Sequence, residues 1–179
     1  MKTKVINFIS GPGAGKSVMA AYLFAELKCL GKCTELVQEY PKTLVWQKRF
    51  MELNDQYMVS HKQYLCLKSM NEIVEYIVFD SSLILGIIYN KENNNNISDK
   101  YKTEEMIWEK TREFNNIFIF IERDSSIKFE KDGRIHTELE SMEIDTKIKD
   151  LLREKNIPYF SCKSGKDSIN DVIDYIAAF

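Results

Sequence analysis

Short apolar runs alternate along this chain with longer segments of helical spacing. Residues 5–9, VINFI, are β-branched and aromatic and predict a buried strand. Similar runs predict strands at 34–38, 76–79, 117–121 and 157–161. Between them, apolar positions three and four apart predict helices over 18–27, 43–53, 55–70, 83–89, 103–114, 137–155 and 168–178. In the longest of these, Leu139, Met142, Ile148, Leu151 and Leu152 are the residues expected to pack. Gly31 marks a stop, Glu39-Tyr40-Pro41-Lys42 predicts a turn, and the asparagines at 93–96 predict a polar surface loop. Residues 122–136 are charged and without period around Gly133, the pattern of a mobile crossing segment. Strands alternating with helices imply βαβ units and a five-stranded parallel sheet flanked by helices, in one domain spanning 1–179. Ligands of such sheets bind outside the carboxyl ends of the strands. That rule gathers Ser10 to Ser17, Glu39, Asp80, Glu122 and Arg123 at one mouth.

Composition changes this picture little. Hydrophobic residues make up 44% and charged residues 29% of 179, ordinary for a globular domain. A net charge of −2 gives no broad attraction to nucleic acid or to an anionic membrane. No apolar run reaches membrane-spanning length. The four cysteines, Cys29, Cys33, Cys66 and Cys162, lack CxxC spacing and histidine neighbours. They read as thiols of a reducing compartment, and a cytoplasmic location is the expectation.

The segment after the first strand carries the most specific chemistry. Ser10-Gly11-Pro12-Gly13-Ala14-Gly15-Lys16-Ser17 turns the chain between a strand and a helix, in the order of a Walker A phosphate loop. Ser10 stands where Gly or Ala is usual, a small residue for a small one. Glycines let successive amides point at an anion, and the helix that follows adds its positive end. Gly11, Pro12, Gly13, Ala14, Gly15, Lys16, Ser17 and Val18 form the expected nucleotide cradle. Lys16 would reach the outer phosphates, and the Ser17 hydroxyl would join a magnesium shell.

Other residues at the mouth admit two readings each. Asp80 ends the strand YIVFD as a Walker B aspartate does and would hold Mg2+ through water; alternatively it caps the next helix. Glu39 is placed to accept a hydroxyl proton or bond a sugar, or else is a surface carboxylate before a proline. Tyr40, Trp46 and Phe50 suit stacking on a base, or a core. Gln56 and Gln63 lie on the helix roofing the acceptor pocket. Arg123 and Arg134 bracket a charged segment and suit a lid that neutralises a transferring phosphoryl group; otherwise they pair with Glu122, Asp124 and Asp132. Lys128 and Lys131 are weaker members of that segment. His61 and His136 have no partner pattern.

SGPGAGKS, QEYPKTLVW, VFDSSL and IFIERDSSIKFEKDGRIHTELESMEIDTKI together resemble the small P-loop nucleoside and nucleotide kinases. Within that group the chain is similar to the nicotinamide riboside kinase-like AAA-type ATPases found in bacteriophages. The resemblance implies a three-layer P-loop NTPase fold with a lid at about 122–136, and ATP and Mg2+ at Lys16 and Ser17. It also implies that Glu39 or Asp80 serves the acceptor, with Arg123 and Arg134 as lid arginines. Acceptors consistent with it are nucleosides, deoxynucleoside monophosphates, nicotinamide riboside, and hydroxymethyluridine within DNA. The adenylate kinase Asp-Gly-hydrophobe-Pro-Arg, thymidylate kinase Asp-Arg and GTPase Asn-Lys-x-Asp signatures are absent. A different class stays open at this point: an ATP- or GTP-hydrolysing switch that acts on a macromolecular partner. Oligomeric state is not legible.

Overall fold

A computed structural model describes residues 2–124, 129 and 136–179. Among the described residues, five parallel strands form one sheet in the order β2-β3-β1-β4-β5. They are β1 Lys4–Ile9, β2 Thr34–Val37, β3 Tyr76–Phe79, β4 Asn115–Glu122 and β5 Phe160–Lys163. The three-layer α/β sandwich matches the expected P-loop NTPase fold. Ile6 lies opposite Val78 on one side and Ile117 on the other, so β1 is central. With all strands running one way, the chain leaves β1 at Ser10, β3 at Asp80 and β4 at Arg123 on the same edge.

Both faces of the central strands are apolar, as in parallel sheets covered on two sides. Ile6, Phe8, Val78, Ile117, Ile119 and Ile121 pack under α1 (Lys16–Cys29) and α8 (Ile169–Ala177). The alternate residues Val5, Ile77, Phe79, Phe118 and Phe120 pack under the opposite helices. These are α4 (Gln56–Lys68), α5 (Leu85–Glu92), α6 (Lys100–Thr111) and α7 (Glu138–Glu154). Three of them begin on side-chain caps, the first being α4, where Asp55 accepts from the Met58 amide. Asp99 accepts from Tyr101 and Lys102 amides at the start of α6, and Thr137 and Glu140 form a reciprocal capping box on α7.

Several expectations are corrected. The segment 39–42 is not a turn; Glu39 is the N-cap of α2 (Tyr40–Trp46), with Pro41 in its first turn, where a missing N–H costs nothing. The helix expected over 43–53 is broken at Lys48, whose φ of 56° ends α2, and resumes as α3 (Phe50–Leu53). Leu139 and Met142 face outward at 74% and 51% exposure, and Ser141 and Ile144 take their place on the buried stripe of α7. The last strand falls at Phe160–Lys163, three residues later than its apolar run suggests. The asparagines at 93–96 do form the expected polar surface loop, and they are bonded there. Asn96 donates to Asn90, and Asn93 to Asn54.

Phe8 is fully buried in the α1–α8 layer. Phe8→Ala should lower unfolding free energy by about 3–5 kcal/mol, read by chemical denaturation. Leu139→Ala, at an exposed position, should change it by less than about 0.5 kcal/mol.

Candidate nucleotide and acceptor site

The loop from β1 to α1 takes a shape that only its glycines allow. Gly13 and Gly15 have φ of 82° and 102°. A Cβ on Gly13 would meet the Phe129 ring at 2.5 Å, and one on Gly15 would meet Ser164 Oγ at 2.3 Å. Gly15 is also the N-cap of α1 and brings no side chain to its first amides. A helix start left this way is an anion site in waiting. Lys16 is buried, and its ammonium folds back to donate to the carbonyls of Ser10 and Gly11 at 3.0 and 3.2 Å.

Asp80 stands behind this loop at 4% exposure. Desolvation pushes its carboxyl up to about 6, against the opposing hydrogen bond from the Ser17 hydroxyl and the charge of Lys16. Its Oδ1 is buried with no hydrogen-bond partner. A hydroxyl and an orphaned carboxylate oxygen are both hard ligands, so Ser17 and Asp80 fit a magnesium ion that keeps water and phosphate as its other ligands. Among the described residues no cluster of three or more His, Cys, Asp or Glu is gathered for a metal.

A cavity of about 660 Å³ opens from Lys16 and Ser17 and runs past Glu39 beneath α4 and α5. Its inner wall carries Gln56, Ser60 and Gln63, all at most 5% exposed. Gln56 donates to the Leu53 carbonyl at 2.7 Å, whereas Ser60 Oγ and Gln63 Oε1 are buried without partners. Buried polar atoms are normally satisfied, so two at one cavity wall mark where a ligand would bond. Glu39 lines the cavity from the start of α2, and its charge acts on both Asp80 and Tyr89. Burial first, then that charge, holds the Tyr89 phenol protonated well above its ordinary range. His136 borders the same space; burial lowers its pKa and Glu140 partly opposes that.

A sequence model described as an AAA domain matches residues 5–168. The chain belongs to this AAA domain family. No curated protein matches it. Among solved structures, the AAA domain is similar to a deoxyadenosine kinase from M. mycoides with dCMP and dCDP bound. The identity is 18%, with a TM-score of 0.64 over 99% of this chain and 100% of that one. The same kinase with bound dATP gives 20% identity and a TM-score of 0.61 over 98% and 100%. The APS kinase CysC of Mycobacterium tuberculosis, in complex with AMPPNP and APS, gives 10% identity and 0.52 over 98% of both chains. At these identities the likeness is one of fold.

The AAA domain brings Lys16, Ser17, Glu39, Gln56 and Gln63 to one cavity, with Asp80 at the Ser17 side. Arg123 is placed differently from a free lid arginine. Its Nε donates to Asp145 Oδ2 at 2.5 Å, and its Nη2 to the carbonyls of Pro12 and Ser141 at 2.8 and 3.2 Å. Glu122, its expected partner, instead accepts from Lys149 and Ser161. Arg134, Lys128 and Lys131 lie outside the described residues. Trp46 is 62% exposed and away from the cavity, while Phe50 lines it from a separate helix. Sequence reasoning missed Ser60, Tyr89 and Asp145. Ser60 had a signal: Gln56, Ser60 and Gln63, at i, i+4 and i+7, form a polar stripe on a helix face that should be core.

Because the folded-state pKa of Asp80 lies above the unfolded 3.8, its neutral form is favoured by folding. The stability it lends below the unfolded pKa is lost as pH rises through about 6. Asp80→Asn should therefore raise metal-free stability at pH 8 by about 2–3 kcal/mol and change it little at pH 4. Thermal unfolding at the two pH values reads this directly.

Proposed function

We propose that this chain is a magnesium-dependent kinase that moves the γ-phosphoryl group of ATP to a hydroxyl of a nucleoside-type acceptor. The continuous cavity carries the reading: a phosphate loop at one end, a carboxylate midway, and unpartnered amide and hydroxyl oxygens at the other. The kinases similar in fold act on nucleosides and on APS, which supports phosphotransfer on this scaffold.

Amides from Gly13 through Val18 would hold the phosphates of ATP, with Lys16 turning from Ser10 and Gly11 onto the γ-phosphate. Ser17 and Asp80 would hold magnesium, which would supply charge neutralisation to the phosphates. The Glu39 carboxylate would take the acceptor's hydroxyl proton as that oxygen bonds to the γ-phosphorus. The bond from γ-phosphorus to the bridging oxygen breaks, ADP leaves, and Glu39 passes the proton to water. Gln63 and Ser60 would hydrogen-bond the acceptor's base. The acceptor half holds Glu39 and Glu92, with Lys42 as its ammonium group among the described lining residues. That balance favours an uncharged nucleoside, such as a ribo- or deoxynucleoside or nicotinamide riboside, over a monophosphate. Hydroxymethyluridine in DNA presents the same kind of primary alcohol but brings a backbone of phosphates.

The test is transfer of labelled γ-phosphate from ATP to nucleosides, their monophosphates, nicotinamide riboside and DNA with hydroxymethyluridine. Label should arrive on a nucleoside. Label released only as free phosphate, whatever the acceptor, would replace the kinase with a hydrolysing switch. Glu39→Gln should lower kcat about 10²–10⁴-fold with ATP binding retained. Lys16→Ala should remove most turnover in a folded protein.

A further inference from the structure

The phosphate loop is held from behind by an ion pair that does not touch the cavity. Asp145 Oδ1 accepts the Gly11 amide, and its Oδ2 accepts Arg123 Nε. The same guanidinium donates to the Pro12 carbonyl at 2.8 Å. A closed ring results: Gly11 N–H to carboxylate, carboxylate to guanidinium, guanidinium to Pro12 C=O. The Gly11 carbonyl is taken by Lys16, and Pro12 has no N–H to offer. The ring thus fixes the limb that rises from β1. Gly13, Gly15, Lys16, Ser17 and Val18, which follow it, line the cavity, whereas Gly11, Arg123 and Asp145 do not.

We infer that Asp145 is a positioning residue for nucleotide binding: with Arg123 it sets the rising limb of the phosphate loop so that the following amides converge on the phosphates. The inference rests on the ATP-binding part of the proposed function and gives a role to Asp145, to which the sequence assigned none. Three observations support a built device. The side chains of Arg123 and Asp145 are 20% and 15% exposed, so solvent screens their pairing weakly. A Cβ on Gly11 would lie 2.3 Å from the Ser141 carbonyl and 2.9 Å from Arg123 Nη2, so the loop backbone and α7 meet with no room for a side chain. Arg123 and Asp145 come from different places, just after β4 and the third turn of α7, and among the described residues both bond the backbone of the loop. Preorganised amides are what make such a loop bind without reorganising, and small displacements of them are costly.

The experiment compares full-length wild type with Asp145→Ala, Asp145→Asn and Gly11→Ala, using equilibrium binding of a fluorescent ATP analogue, KM for ATP, KM for the acceptor, and thermal unfolding. Asp145→Ala and Gly11→Ala should weaken ATP binding about tenfold or more and raise KM for ATP, with KM for the acceptor unchanged. Asp145→Asn keeps an oxygen for the Gly11 amide and should recover part of the loss. Should Asp145→Ala fail to fold, Arg123→Lys serves in its place. A single ammonium cannot bridge Asp145 and Pro12 as the fork does, so ATP binding should weaken likewise. Normal ATP binding by folded Asp145→Ala or Arg123→Lys and by Gly11→Ala, whatever the change in melting, would overturn the inference and leave a purely structural ion pair. Wild type that binds ATP but phosphorylates no acceptor would sink the kinase reading alone; wild type that binds no ATP would sink both.

Discussion

A helix that begins without a cap is the constraint on which the site depends. Gly15 offers no side chain to the first amides of α1, and those amides sit at the carboxyl edge of a parallel sheet. Donors left unpaired at a helix start that opens on a cavity are free to bond an anion. The surrounding structure preserves this condition. Gly13 and Gly15 keep the loop narrow, Phe129 and Ser164 close against it, and Arg123 with Asp145 hold its rising limb. Together these contacts hold the loop in one shape.

The parallel sheet then decides what else can reach that ligand. Because β1, β2 and β3 lie side by side in register, the residues that follow them emerge together. Asp80 arrives behind Ser17, and Glu39 arrives at the start of α2 facing the cavity. The two carboxylates differ in surroundings. Asp80 is desolvated and holds its proton up to about 6, while Glu39 looks into open cavity space. In the proposed kinase, that difference in environment is the ground for giving the metal-holding role to the first and the proton-accepting role to the second. The roof completes the arrangement. Helices α4 and α5 bring apolar residues to the sheet, yet α4 spends three positions of its buried face on Gln56, Ser60 and Gln63. Stability alone gives no reason for that choice.

The sequence by itself determined the order of elements, the parallel sheet and the phosphate loop. These rest on local facts: β-branched runs of strand length, helical spacing between them, and glycines at fixed offsets before Lys16 and Ser17. It also placed Glu39 and Asp80 at the mouth, because a parallel sheet puts all its strand ends on one side, and Gln56 and Gln63 on the helix roofing the acceptor pocket. Tertiary structure alone decided which side chains turn toward the ligand and which toward the protein. Arg123 reads in sequence as a lid arginine or as a partner of Glu122, Asp124 and Asp132. In the fold it binds Asp145, 22 residues later, and the Pro12 carbonyl, 111 residues earlier. Leu139 and Met142 fit a buried stripe by spacing, yet α7 packs with Ser141 and Ile144 inward and leaves them outward. Periodicity fixes which residues share a helix face but not which way that face points. Rotation about the helix axis, and the pairing of charges from distant segments, are set only when the layers pack.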